Sequence, residues 1–244
     1  HRYRRWGSDE RRKDGSVVDP ADVPADVPAA SALDLIEERL QDAKAVQRAK
    51  VHPIVNQIIE DVGDQLSACP DYQGTVREQL QPVIVSVLRF LARCLNAQEG
   101  GGRSHTQYLF DPEALEGDLQ QDLVGWLYAS GLYGFTIEAQ HIGGGRIDLM
   151  VTFDGFRFVM ELKREQGDAT RSGLSGYLRQ AGAYQVTDVA LGMLIVLDTT
   201  SDPLPPHIRD NVWVDVLAAA EPHGTDRYVV VVRVPGNRKS PSRL

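Results

Sequence analysis

The clearest pattern along the chain is an alternation. Ile147, Leu149, Val151 and Phe153 take every second position of one run, and Phe156, Phe158, Met160 and Leu162 take every second position of the next. Period-two alternation in sequence rich in β-branched and aromatic residues predicts half-buried strands. Asp154-Gly155 between the runs is a strong hairpin signal, because both residues tolerate positive φ. A two-residue turn pairs Phe153 with Phe156 and holds every later pair to the same sum of residue numbers. Asp148 then falls directly opposite Glu161, and Lys163 lies two residues on, on the same face. One face of the hairpin is apolar and must pack on a core. The other carries two carboxylates and an ammonium.

Helical periodicity surrounds this hairpin. Leu119, Leu123 and Leu127, with Trp126 beside them, predict an amphipathic helix over about 113–131, closed by Gly131 and Gly134. Glu116 lies three residues before Leu119 and shares its inward face; Glu113 or Asp118 would serve as well as first-turn acids favoured by the helix dipole. A strand is expected near 135–140 and a second helix near 170–188. The continuous apolar run MLIVLD reads as a buried central strand over 192–198, and VWVDVL and YVVVVRV as further strands of one sheet. Upstream, three apolar stripes predict helices over 31–98: Leu33, Ile36 and Leu40; Val55, Ile58, Ile59 and Val62; and Val83, Ile84, Val87, Leu88, Leu91 and Leu95. Pro53 and Pro82 limit or kink them, and Gly100–Gly102 ends the section. Residues 1–13 are a basic arm, and a Pro-spaced Ala-Asp-Val-Pro repeat follows as an extended linker. The expected organisation is therefore arm and linker over 1–30, a helical subdomain over 31–102 and an α/β domain over 103–244.

Opposed carboxylates destabilise a hairpin unless something neutralises them. A lone Glu161-x-Lys163 would read as a cross-strand salt bridge, but the in-register Asp148 points to a hard divalent cation held by oxygen. Gln180 and Tyr184, four residues apart, share one helix face, and Arg171 and Arg179 stand on the same segment as candidate phosphate contacts. Gly143-Gly144-Gly145 lacks the Lys-Ser/Thr of a phosphate loop, which argues against a nucleoside-triphosphate site.

These residues resemble the PD-(D/E)XK nuclease superfamily. Asp148 matches its first metal ligand and Glu161-Leu162-Lys163 its (D/E)XK tripeptide, while Gln180-x-x-x-Tyr184 is similar to the helical motif of the RecB-like and archaeal-resolvase-like branches. The resemblance covers roughly residues 110 to 200; no proline precedes Asp148, where Arg146-Ile147 stand instead. It implies a restriction-endonuclease-like α/β fold, a mixed β-sheet flanked by helices in αβββαβ order, here with the N-terminal helical subdomain added. It further implies a metal-dependent DNA nuclease, with Mg²⁺ as cofactor and Mn²⁺ able to substitute. Asp148, Glu161 and the Leu162 carbonyl would hold the metal, and Glu116 would complete the shell through water. Lys163 would orient the attacking water or stabilise charge on phosphorus; Gln180 and Tyr184 would support the lysine or contact DNA phosphate. Arg146, Arg171 and Arg179 are the expected nucleic-acid contacts. The competing reading is a non-catalytic nuclease-fold module for nucleic-acid binding or complex assembly. Such relatives usually lose an acid or the lysine, and all three are present here.

Charge and composition change this picture little. A net charge of −8 does not suit a general nucleic-acid coat, although positive potential need only be local. The basic tail residues Arg238, Lys239 and Arg243 could track a DNA backbone. Cys69 and Cys94 fit no zinc spacing and point to a reducing, cytoplasmic setting; no membrane span or signal peptide is visible. His105, His141 and His207 form no metal pattern. The chain starts at His1, as a fragment or processed product would. A linker, a helical piece and a terminal nuclease domain suit the effector of a bacterial antiphage or restriction system, with a sensor domain or partner protein N-terminal to it and a homo-oligomeric state.

Overall fold

The structure, a computed structural model, describes residues 53–239 apart from 100–103, 133, 143–144, 184, 186–188, 201–206 and 220–223. The arm, linker and first apolar stripe expected over 1–52 lie outside the described residues, as does Tyr184.

The element order is α1 (Pro53–Leu66), α2 (Gly74–Leu95), a 3₁₀ turn (Ser104–Phe110), α3 (Glu116–Ala129), β1 (Phe135–Ile142), β2 (Gly145–Thr152), β3 (Arg157–Glu165), α4 (Ser175–Ala183), β4 (Leu191–Asp198), a second 3₁₀ turn (Ile208–Asn211), β5 (Val212–Leu217) and β6 (Arg227–Pro235). The six strands form one mixed sheet in the order β1-β2-β3-β4-β6-β5. β1, β2 and β3 run antiparallel in sequence, β3, β4 and β6 are parallel, and β5 closes the far edge antiparallel to β6. The protein is thus a mixed α/β fold with helices on both faces of a central sheet.

The hairpin register follows the alternation. Thr152 pairs with Arg157, Val151 with Phe158, Met150 with Val159 and Leu149 with Met160. The Phe153 N–H donates to the Phe156 carbonyl at 2.9 Å, and the two rings stack with centroids 4.8 Å apart. The turn differs from the expectation in one respect: only Gly155 has positive φ, at 94°, and Asp154 does not. Glycine alone supplies the reversal.

Strand alternation sorts the core into two layers. Leu149, Val151, Phe158, Met160, Leu162, Met193, Ile195, Val230 and Val232 face α1, α2 and α3 in one cluster. Leu194, Val196, Val229 and Val231 face Leu174, Leu178 and Ala181 of the α4 segment in the other. β4 is buried at all eight positions, as its unbroken apolar run requires. Residues 53–244 form one compact unit. The described helices of the expected 31–102 subdomain are therefore a layer of that unit. α2 continues through Pro82, and Val83, Val87 and Leu91 of its stripe are buried against the sheet. α4 is shorter than the 170–188 expected, with Thr170–Leu174 forming a turn before it. Among the described residues no helix is long and apolar enough to cross a membrane.

Candidate functional site

The site begins where the β2–β3 ladder stops. Its last pair is Leu149 with Met160, so Asp148 and Glu161 stand one step beyond it instead of forming the directly opposed pair that the register implies. Antiparallel pairs alternate between bonded and non-bonded positions. Counting from the bonded Phe153–Phe156 pair, the Leu162 N–H would go to the Ile147 carbonyl. It goes to the Asp148 carboxylate, at 2.8 Å to Oδ2. The Leu162 carbonyl, on the same edge, accepts from the Lys163 ammonium at 2.7 Å. The strands part, and the side chain of Asp148 fills the gap.

Parallel pairing with β4 decides what faces this opening. Glu161 stands beside Leu194 and Lys163 beside Val196, on the face covered by α4. From α4 the Gln180 amide reaches down and donates to Glu161 Oε1 at 2.7 Å. The Lys163 ammonium lies 2.8 Å from the same oxygen and 3.5 Å from Asp148 Oδ2. From α3, the Gln120 amide donates to the Asp148 carbonyl at 3.2 Å. Glu116, Gly117, Gln120, Asp148, Glu161, Lys163 and Gln180 together line one cavity of roughly 350 Å³.

Burial governs the charges. The Glu161 side chain is 1 % exposed. Desolvation pushes its carboxyl up to about 7, with the Asp148 charge adding to the rise and the Lys163 hydrogen bond opposing it. Burial also raises Glu116, with Asp148 adding to it and Lys163 opposing. For Lys163 burial acts downward, but the hydrogen bond to Glu161 and the charges of Glu161, Asp148 and Glu116 outweigh it and hold the ammonium above its ordinary value.

Glu161 Oε2 is buried and without a hydrogen-bond partner. An orphaned carboxylate oxygen beside a second carboxylate and a main-chain carbonyl is a hard-oxygen donor set, and it fits Mg²⁺ or Mn²⁺ better than a softer metal. Among the described residues no three His, Cys, Asp or Glu side chains are already drawn together around a metal position. Lys163 sits between the acids instead.

Other expected residues fall elsewhere. Arg171 is tied across to β5, donating from Nε to Asp215 Oδ1 at 2.7 Å and from Nη2 to the Val214 carbonyl at 3.1 Å, and it does not line the cavity. Arg179 is exposed on α4 and lines a separate cleft with Arg227. Arg146 pairs through its backbone with Gln140 in β1. Arg238 is no free tail cation: it donates to the Cys94 and Leu95 carbonyls at 2.5 and 2.8 Å and stacks over Phe110, closing the C-terminus of α2. His207 caps the second 3₁₀ turn.

Gln120 was not foreseen. Its one available sign is its spacing, four residues after Glu116, which puts both on one side of α3. Glu165 was also missed. It accepts the Gln166, Gly167 and Asp168 N–H groups on Oε1 and the Tyr177 hydroxyl on Oε2, fixing the turn between β3 and α4.

No family model, no curated protein and no solved structure matches the chain.

Proposed function

We propose that the chain is a metal-dependent nuclease of restriction-endonuclease-like fold, hydrolysing phosphodiester bonds in DNA endonucleolytically. The observation that carries this reading is the convergence of Asp148, Glu161 and Lys163, from two strands, with Gln180, from a helix, on one cavity. The element order α3-β1-β2-β3-α4-β4 agrees with the αβββαβ core of the PD-(D/E)XK superfamily that the motifs resemble.

Asp148, Glu161 and the Leu162 carbonyl would hold Mg²⁺, with Glu116 reaching it through water. The ion would supply Lewis acidity toward a phosphoryl oxygen and a water of lowered pKa. Gln180 fixes Glu161 Oε1 and leaves Oε2 buried without a hydrogen-bond partner. The Lys163 ammonium now pairs with both carboxylates; with a cation sharing their charge it would be free to donate to a phosphoryl oxygen as charge grows there. By resemblance, cleavage leaves a 5′-phosphate and a 3′-hydroxyl.

One observation favours a second reading. Lys163 already pairs with Glu161 Oε1 and Asp148 Oδ2 and donates to the Leu162 carbonyl, an ion-pair set that a non-catalytic binding or assembly module would keep. The deciding experiment incubates supercoiled and linear plasmid with Mg²⁺ or Mn²⁺ and wild type, Asp148→Ala or Lys163→Ala. Metal-dependent nicking lost in both variants establishes the nuclease. No cleavage, together with no carboxylate-dependent Mn²⁺ binding by calorimetry, establishes the module. The role as an antiphage or restriction effector is part of the proposal and rests on domain order; constitutive cleavage by the isolated chain counts against a gated effector.

A further inference from the structure

We propose that Gln120 is a positioning residue for the metal site, holding Asp148 from the helix side; the inference rests on the nuclease reading above. Besides the strand ladder, two hydrogen bonds reach Asp148, and they come from different elements. Its carboxylate is held by the Leu162 N–H at 2.8 Å, and its carbonyl by the Gln120 amide at 3.2 Å. The second bond matters because Asp148 lies beyond the last β2–β3 pair, where β3 no longer holds the backbone of β2. Residue pairs of β1 and β2 flank it, at Ile137–Leu149 and Ala139–Ile147, so its backbone is held from the β1 side and open on the β3 side. Gln120 adds a hydrogen bond from the helix where the bond pattern between β2 and β3 has ended.

The helix that carries Gln120 is rigidly seated. Leu119, Leu123 and Leu127 are fully buried in the core, and the Asp118 carboxylate closes the first turn by accepting the Leu115 N–H at 2.8 Å. The amide is therefore presented from a fixed frame. Gln120 and Glu116 stand one turn apart and both line the cavity. A single helix face thus sets the distance between the water-mediated acid, Glu116, and the direct ligand, Asp148. Partners that orient a ligand without touching the metal commonly change metal affinity or activity by about 10–100-fold when removed.

The test compares wild type with Gln120→Leu, which keeps the bulk and removes the donor, and Gln120→Asn, which keeps the amide on a shorter stem. Mn²⁺ affinity is read by calorimetry, thermal midpoint by scanning, and kcat and KM from plasmid nicking. Expected for Gln120→Leu are a loss of Mn²⁺ affinity and kcat of about 10-fold or more, KM for DNA unchanged, and a thermal midpoint close to wild type. Gln120→Asn should fall between the two. Wild-type Mn²⁺ affinity in Gln120→Leu overturns the proposal and leaves the nuclease reading intact. So does a loss of affinity fully accounted for by a lowered thermal midpoint. If wild type itself neither binds Mn²⁺ through Asp148 nor nicks DNA, the nuclease reading falls and the role of Gln120 falls with it.

Discussion

The Asp148 carboxylate accepts the Leu162 N–H at 2.8 Å, so one oxygen of the site's first acid is also a structural member of the sheet. Two consequences of this double duty can be separated by substitution. Asp148→Ala leaves a main-chain N–H unpaired at a residue that is fully buried. Leaving such a donor unmade costs about 1–3 kcal/mol. Asp148→Asn keeps an acceptor but loses the charge. Both variants should lose metal-dependent cleavage, while the urea midpoint of the Asn variant lies closer to wild type. Equal destabilisation by the two would show that the bond to Leu162 contributes nothing.

Lys163→Ala should abolish cleavage without abolishing metal binding. The ammonium sits between both acids, so it competes with a divalent cation for the same oxygens. Removing it leaves Glu161 buried and uncompensated, at a cost of about 3–5 kcal/mol when the carboxylate is ionised. Mn²⁺ should restore part of that loss, and calorimetry should find Mn²⁺ affinity at or above wild type. Cutting at the wild-type rate by this variant would remove Lys163 from the mechanism.

Stability of the metal-free protein should fall as pH rises from about 4.5 to about 7. Glu161 titrates near 7 in the fold against an ordinary value of 4.5, chiefly because it is buried. Within that window the folded state holds a proton that the unfolded state has released, so each step upward in pH favours unfolding. The contribution is complete below the unfolded value and lost as pH passes the folded one; its slope is at most about 1.4 kcal/mol per pH unit. Thermal midpoints measured in chelator from pH 5 to 8 should show this decline in wild type and a flatter profile in Glu161→Gln. Identical profiles would mean that Glu161 is ionised throughout.

Thiol chemistry reports on the core. Burial pushes the Cys94 thiol up to about 12, and burial also raises Cys69. Both are buried and neither forms a disulfide. An aromatic disulfide reagent at pH 8 should label neither in the native protein and both in denaturant. Rapid native labelling of Cys94 would show that the interface between α2 and the first 3₁₀ turn opens readily.

Much of the site was legible because its logic is local. Alternation and one Asp-Gly pair set the register, and register alone brings Asp148, Glu161 and Lys163 to one face. The remaining features depend on partners distant in sequence. The opening beyond Leu149–Met160 comes from a side chain taking a backbone bond, which no periodicity records. Gln120 has meaning only once α3 is seated beside β2. Arg171 and Arg238 looked like free cations because their partners, Asp215 for one and the α2 terminus for the other, lie 44 and about 144 residues away. Charge composition counts side chains but says nothing of which are already engaged.

The shared core sets where the protein can be cut. Leu80, Val83, Val87 and Leu91 of α2 and Ile58 and Val62 of α1 lie in the same cluster as Leu149, Met160, Met193 and Val230 of the sheet. A fragment beginning at residue 103, the boundary that sequence suggests, would carry every residue of the cavity and yet strip the helical cover from one side of its own sheet. Such a surface drives association. A piece cut to keep the candidate site on a covered sheet therefore starts at α1, and the helices ahead of the motifs are as necessary to that piece as the motifs themselves.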